Sequence, residues 1–264
     1  MSDDLLIEIK TVQCGSIRTL IEALKETLTD TVIFCDESGL KIKCMDGNHI
    51  VLVYLKLDAE KFEYYKVDGY HELGVNMNNL FKILKTMNNN DTLTLFLEKD
   101  NKCSLGIKIE NGEKNSRTVY HLNLLDLEPD KVDIPKADFD YIITWPSQDF
   151  QKICRDMTNL QIDDVEISCV GQKLIFTCKG DFASQTTTIG ENNSNLSFIE
   201  AEDPEQVFNG RYTLKYLVQF TKCTNLCPSI ELFMKNDYPL IIKYTVASLG
   251  EIRLCLCPNS TDDD

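Results

Sequence analysis

Eight basic side chains sit where they could hold phosphate. Arg18 with Lys25, Lys82 with Lys85, Lys152 with Arg155 and Lys215 with Lys222 fall on four segments of helical apolar period, 15–28, 78–87, 147–158 and 213–224. On a helical wheel Lys82 and Lys85 lie opposite the stripe Leu80, Ile83, Leu84 and Met87. Lys152 and Arg155 stand in the same relation to Phe150, Ile153, Cys154 and Met157. Lys215 and Lys222 share a face away from Leu217 and Phe220, and Arg18 shares one with Lys25, with Glu22 between them. One such pair is an ordinary solvated helix face. Four are unusual in a chain of net charge -15, because the segments carry +4 and the remainder -19. Lys and Arg without interleaved aromatics suit phosphate oxygens better than stacked bases. Such contacts read no sequence and weaken steeply with salt. A chain that separates its charge in this way points to nucleic acid held on one surface and repelled by the others.

No competing chemistry is visible. The sequence lacks a glycine-rich phosphate loop, a nucleophile elbow, and a His close in sequence to a candidate Ser or Cys. Asp163-Asp164 reads as a turn, so no enzyme activity is expected. The cysteine count, eleven, is odd, and most lie in apolar runs, as do Cys35, Cys44, Cys154, Cys169 and Cys178. The closest pairs are Cys223/Cys227 and Cys255/Cys257, and no histidine completes a zinc pattern. They read as reduced thiols used as small hydrophobes, with no metal or cofactor. No stretch approaches the roughly 18 apolar residues of a membrane span. Met1-Ser2-Asp3-Asp4 is unlike the start of a signal peptide.

The elements that carry the basic residues come in two copies. Residues 91–100 line up with 228–237 at an offset of 137, which also places Lys85 on Lys222 and Leu80 on Leu217. At an offset of 133–134, Val32, Phe34 and Cys44 fall on Val165, Ile167 and Cys178. Ile17, Leu20, Ile21 and Leu24 then fall on Phe150, Ile153, Cys154 and Met157. Each half reads strand, helix, several strands, helix, several strands. Strands alternate with period two, as at Leu93/Leu95/Leu97 and Ile230/Leu232/Met234. Short helices with one apolar stripe must lie on a sheet. The expectation is an α+β chain: one domain over 1–117, a connector over 118–136, a second domain over 137–258 and an acidic tail over 259–264. Pro129 and Pro135 argue against regular structure between the halves.

A further set of segments runs the length of the chain: 21–25 (IEALK), 45–53 (MDGNHIVLV), 82–85 (KILK), Leu124-Leu-Asp-Leu127 with Ile134-Pro135, and Pro146-Ser147, Phe150 and Ile153–Asp156. Tyr216-Leu217, Phe220–Lys222 and Leu256-Cys-Pro258 complete the set. Through their order and spacing the chain resembles the proliferating cell nuclear antigen family, the eukaryotic-type DNA sliding clamps, along nearly its whole length. The resemblance implies a six-domain ring of three identical chains, with two helices per domain inside and antiparallel sheets outside. Duplex DNA would pass through, held topologically and without sequence preference, with the eight basic residues facing it. DNA polymerase, clamp loader, nuclease and ligase would dock through peptides bearing a glutamine–aliphatic–double-aromatic box. The residues that match the family's peptide pocket are Met45, His49, Ile50, Leu52, Leu127, Val132, Ile134, Tyr238, Pro239, Cys257 and Pro258. The subunit contact would set the strand with Tyr120 and Leu122 against the neighbour's strand with Phe182 and Thr187.

The implied location is the nucleus, or the replication compartment of a virus. Two positions depart from the family. Cys255 stands where an aromatic residue often forms the pocket wall, and Gly171 where animal and fungal members carry the lysine modified by ubiquitin. Two other readings stay open on sequence: a checkpoint-type clamp subunit that assembles only with non-identical partners, and an acidic module that binds only proteins.

Overall fold

The apolar stripes read from the sequence face the core, with Ile83 and Leu95 half-buried, in the computed structural model, which describes residues 4–130, 132, 137–190, 196–200 and 207–259. The strands of the first half are β1 (Leu5–Thr11), β2 (Asp30–Asp36), β3 (Gly39–Met45), β4 (Val51–Asp58), β5 (Tyr64–Val67), β6 (His71–Asn76), β7 (Thr92–Glu98), β8 (Ser104–Asn111) and β9 (Ser116–Asn123). Helix α1 (Cys14–Thr27) follows β1, and α2 (Met77–Leu84) follows β6. The second half repeats that order. Its strands are β10 (Tyr141–Pro146), β11 (Asp164–Val170), β12 (Lys173–Lys179), β13 (Ser184–Ile189), β14 (Ser197–Glu200), β15 (Val207–Thr213), β16 (Ser229–Met234), β17 (Leu240–Val246) and β18 (Gly250–Leu256). Helix α3 (Ser147–Asn159) follows β10, and α4 (Leu214–Phe220) follows β15. No helix among the described residues is long and apolar enough to cross a membrane.

The chain forms two compact units. Unit 1 is Met1–Gly47, Val53–Val132 and Thr245–Ile252, and unit 2 is Asn48–Leu52, Asp133–Tyr244 and Arg253–Asp264. In unit 1 the strands order β5-β1-β7-β8-β9 and β4-β3-β2-β6, and in unit 2 they order β14-β10-β16-β17 and β13-β12-β11-β15. Strands pair antiparallel in both units: Ile9 sits opposite Leu95 in unit 1, and Ile143 opposite Leu232 in unit 2. Period-two alternation therefore turns one face of each sheet to the core. In unit 1 that face carries Ile7, Ile9, Leu93, Leu97, Leu105 and Ile107, each at most 3 % exposed.

The helices close the core from their apolar sides. Helix α1 buries Ile17, Leu20, Ile21 and Leu24 beside α2, which buries Met77, Leu80 and Leu84. Helix α3 buries Phe150, Ile153, Cys154 and Met157 beside α4, which buries Leu214, Tyr216, Leu217 and Phe220. Trp145 anchors unit 2, its ring centroid 6.1 Å from Phe150 and 5.7 Å from Phe176.

Two helix ends differ from the sequence reading, each for a local reason. Helix α2 ends at Leu84, three residues before Met87. There the bonds tighten to Thr86 N to Ile83 O and Met87 N to Leu84 O, both 3.1 Å, and the Thr86 hydroxyl bonds back to Ile83 O at 2.8 Å. Helix α4 runs only from Leu214 to Phe220 and continues as a 3-10 helix over Thr221–Leu226, where the Thr221 hydroxyl takes up Val218 O at 2.7 Å. Between the halves, β9 keeps regular pairing with β8 as far as Asn123. Leu125 N then donates to Gly74 O at 2.8 Å, and irregular chain begins beyond that bridge.

Candidate nucleic-acid interface and partner surfaces

The apolar stripes fix where the basic residues point, since each helix can bury only one side. Lys82, Lys85, Lys152, Arg155, Lys215 and Lys222 are all exposed. Lys82 lies on α2, with Nζ 3.3 Å from Asn79 Oδ1, and Lys85 is the residue that ends it. Lys152 and Arg155 lie on the open side of α3, Lys215 on α4 with its ammonium 6.0 Å from the Tyr216 ring, and Lys222 on the 3-10 helix that follows. Units 1 and 2 thus each present exposed cations on the side of the helices away from their own core.

Arg18 and Lys25 are placed differently. Both are half-buried. The Arg18 guanidinium donates to Met87 O and, at 2.8 Å, to Asn89 Oδ1. Lys25 pairs with Glu26, with Nζ 5.1 Å from the centroid of the Phe81 ring of α2. These two cations fasten α1 to α2 and to the turn after it. Their contacts span up to 71 positions, so a helical wheel could give their direction but not their partners.

The residues matched to a peptide pocket fall in both units. In unit 1 Met45 is half-buried, and its N–H donates to the Asp130 carboxylate at 2.9 Å. Leu127 and Val132 are half-buried, and Ile134 lies outside the described residues. In unit 2 His49 is exposed with a φ of 56°, Leu52 is half-buried, and Ile50 O accepts from Cys257 N at 3.1 Å. Tyr238 meets Phe139 edge-on at 5.6 Å, Pro239 is half-buried beside it, and Pro258 is exposed. Apolar character alone would put Met45 and Leu52 in the core, yet both keep part of their surface in water.

Tyr238 and Pro258 line a cavity of about 510 Å³ together with Asn209, Arg211 and Asn259, residues that the sequence did not single out. Asn259 is held there by its side chain, with Nδ2 2.9 Å from Asp164 Oδ1 and Oδ1 accepting from the Thr213 hydroxyl at 3.1 Å.

Of the residues matched to a subunit contact, Tyr120 and Leu122 lie on β9 and Thr187 on β13, each half-buried, and Phe182 is 68 % exposed just before β13. Both strands are edges, paired on one side only among the described residues. Cys255 is buried at 6 % exposure. Gly171 sits in the β11–β12 hairpin with a φ of 56°, which suits glycine. None of the eleven cysteines forms a disulfide and seven are buried, and burial pushes the Cys35 and Cys223 thiols up to about 12. Among the described residues no three His, Cys, Asp or Glu side chains gather to hold a metal ion.

Two tandem α+β domains, each with two helices laid on antiparallel sheets and cations on the helices' open side, define the class. Residues 6–132 match the family model of the proliferating cell nuclear antigen N-terminal domain, and 133–259 that of its C-terminal domain. The chain belongs to the proliferating cell nuclear antigen family. It is 36 % identical to a probable DNA polymerase sliding clamp 1 of Paramecium bursaria Chlorella virus 1, over 97 % of this chain and 98 % of that one. It is 31 % identical to proliferating cell nuclear antigen 2 of Drosophila melanogaster, over 98 % of this chain and 100 % of that one. The crystal structure of the Entamoeba histolytica proliferating cellular nuclear antigen superposes with a TM-score of 0.88 at 26 % identity, covering 97 % of this chain and 100 % of that one.

Proposed function

We propose that this chain is a DNA sliding clamp, a processivity factor that encircles duplex DNA and tethers DNA polymerase and other replication and repair proteins to it. The observation that carries the reading is the set of six exposed Lys and Arg on the open side of the helices, repeated in both units of an acidic chain. Phosphate contacts of this kind are weak singly and indifferent to sequence, so they let DNA move. Retention then comes from closure, and the acidic remainder discourages binding elsewhere.

Closure requires copies to join. The chain is read as a homotrimer in which β9 of one copy pairs with β13 of the next, with Tyr120, Leu122, Phe182 and Thr187 at the contact. Among the described residues both edges are paired on one side only, and such pairing would cover strand edges that otherwise invite aggregation. Partners carrying a glutamine–aliphatic–aromatic box are assigned to Met45, His49, Ile50, Leu52, Leu127, Val132, Ile134, Tyr238, Pro239, Cys257 and Pro258. An amphipathic turn with aromatic anchors is the ligand such residues suit. An ATP-driven clamp loader would open the ring, and the chain itself needs no catalysis. Its place of work is the nucleus, or the replication compartment of a virus.

The test is loading on nicked circular DNA followed by linearisation. Retention on the circle and loss from free ends is the expected result. Equal retention on both refutes topological binding. Mass in solution separates the other readings: assembly of the 30.2 kDa chain with itself into a trimer is expected, and a persistent monomer argues for a subunit that needs non-identical partners.

A further inference from the structure

Strand β15 pairs with β11 on one side, and its other side is only partly covered. Asn236 folds its side-chain amide onto that side, donating to Val207 O at 2.8 Å and accepting from Asn209 N–H at 3.0 Å, as a further strand would. Two residues on, Asn259 N–H donates to Arg211 O at 2.8 Å. Asn209 N and Arg211 O therefore point away from β11. In an antiparallel ladder both backbone groups of such a residue turn outward together, so Asn209 O and Arg211 N do the same. Among the described residues neither of these two groups has a hydrogen-bond partner. Both flank Gly210 and border the cavity of about 510 Å³.

We propose that one residue of an extended partner peptide, running parallel to β15, docks opposite Gly210. Its N–H donates to Asn209 C=O, and its C=O accepts from Arg211 N–H. The pattern of free groups sets the direction. In a parallel ladder one residue bonds the two neighbours of its opposite number, which is the gap left between Asn236 and Asn259. An antiparallel residue would need both groups of Asn209 or both of Arg211, and one of each is already taken. Glu166 and Asp237 balance Arg211 and Lys235 around the cavity, so the peptide is held through its main chain and not selected by charge. Tyr238 and Pro258 line the same cavity, which makes the docked residue part of a segment flanking the aromatic box. The inference rests on the peptide reading given above.

The test uses the full chain and synthetic peptides: the box alone, the box with flanking residues on either side, and flanked peptides N-methylated at one flank amide at a time. A net hydrogen bond is worth about two- to twelvefold in affinity, so the correct flank should tighten binding by about tenfold. N-methylation at a single position should abolish that gain. Arg211→Pro should abolish it too, while Arg211→Ala, which keeps the N–H, should retain it. Proline is tolerated where an edge-strand N–H faces away from the sheet, and the methylated peptides carry the test if that variant misfolds.

Flanks that add nothing while the box binds overturn the inference and leave the peptide reading standing. Equal loss in Arg211→Ala and Arg211→Pro overturns it, as does a gain indifferent to every N-methyl group. A gain seen only in a chain ending at Asn259 assigns the gap to the chain's own last residues and overturns it as well. Absence of binding by every peptide overturns both readings.

Discussion

Replacing Arg18 and replacing Lys82 with Lys85 should separate two roles that look alike in the sequence. The Arg18 guanidinium donates to Met87 O and Asn89 Oδ1, so Arg18→Ala releases the turn after α2 from α1. Hydrogen bonds to a charged group contribute about 1.5–3 kcal/mol each, so this pair at the low end would sum to about 3 kcal/mol, and solvent screening of the half-exposed guanidinium lowers that to about 2 kcal/mol. In a chain of this size each kcal/mol moves the melting midpoint by about 2–4 °C, so Arg18→Ala should melt about 4–8 °C lower. Lys82 and Lys85 are exposed, and among the described residues Lys82 is held by Asn79, a neutral neighbour. Lys82→Ala/Lys85→Ala should therefore shift melting by no more than about 2 °C. Each phosphate contact contributes about 0.9 to the slope of log affinity against log salt, so the double variant should lose about 1.8 per copy. Fluorescence anisotropy on duplex DNA across about 50–200 mM salt measures the slope, and calorimetry the midpoint. Arg18→Ala should keep the parent slope. A slope lost in Arg18→Ala without a change in melting would refute the fastening role, and an unchanged slope in the double variant would refute the phosphate reading.

Two further outcomes follow from single sites. At Gly106 an added Cβ would lie 2.2 Å from the Phe96 ring, which meets His121 edge-on at 6.0 Å, so Gly106→Ala must displace an aromatic on the β7–β9 surface. It should lower the melting midpoint, whereas Gly112→Ala, with nothing within 4 Å of its Cβ, should leave it unchanged in the same scan. At Asp36 hydrogen bonds from Lys41 and Ser38 hold the carboxyl down to about 2. A carboxyl depressed in the folded state stabilises it above the unfolded value of about 3.9, and that contribution fades as pH falls toward 2. Lys41→Met should therefore cost stability at pH 7 and progressively less below pH 4 (about the unfolded value), with a flat difference across acid titration as the refuting result.

The repeat and the four amphipathic segments were legible because the apolar period fixes which side of a helix is buried. Phe150, Ile153, Cys154 and Met157 are buried as their spacing requires. The ends of α2 and α4 were not legible, since a Thr hydroxyl that bonds back to a carbonyl leaves the apolar period unchanged. The fastening by Arg18 was hidden for another reason: charge and spacing mark it as one more exposed cation, and only the fold brings Asn89 to it. The sequence singles out neither Asn236, inside the repeat segment 228–237, nor Asn259, at the start of the tail, and their side chains acquire meaning only beside β15.

The edges β9 and β13 are unlike strands, so a contact between them is head-to-tail and cannot be its own mirror partner. Copies joined in that way all face the same way round, and a closed ring of them has two different sides. Whatever one copy displays on a given side, every copy displays there. A symmetric assembly would thus still give the DNA threaded through it a front and a back, and every docked protein would ride on the same one.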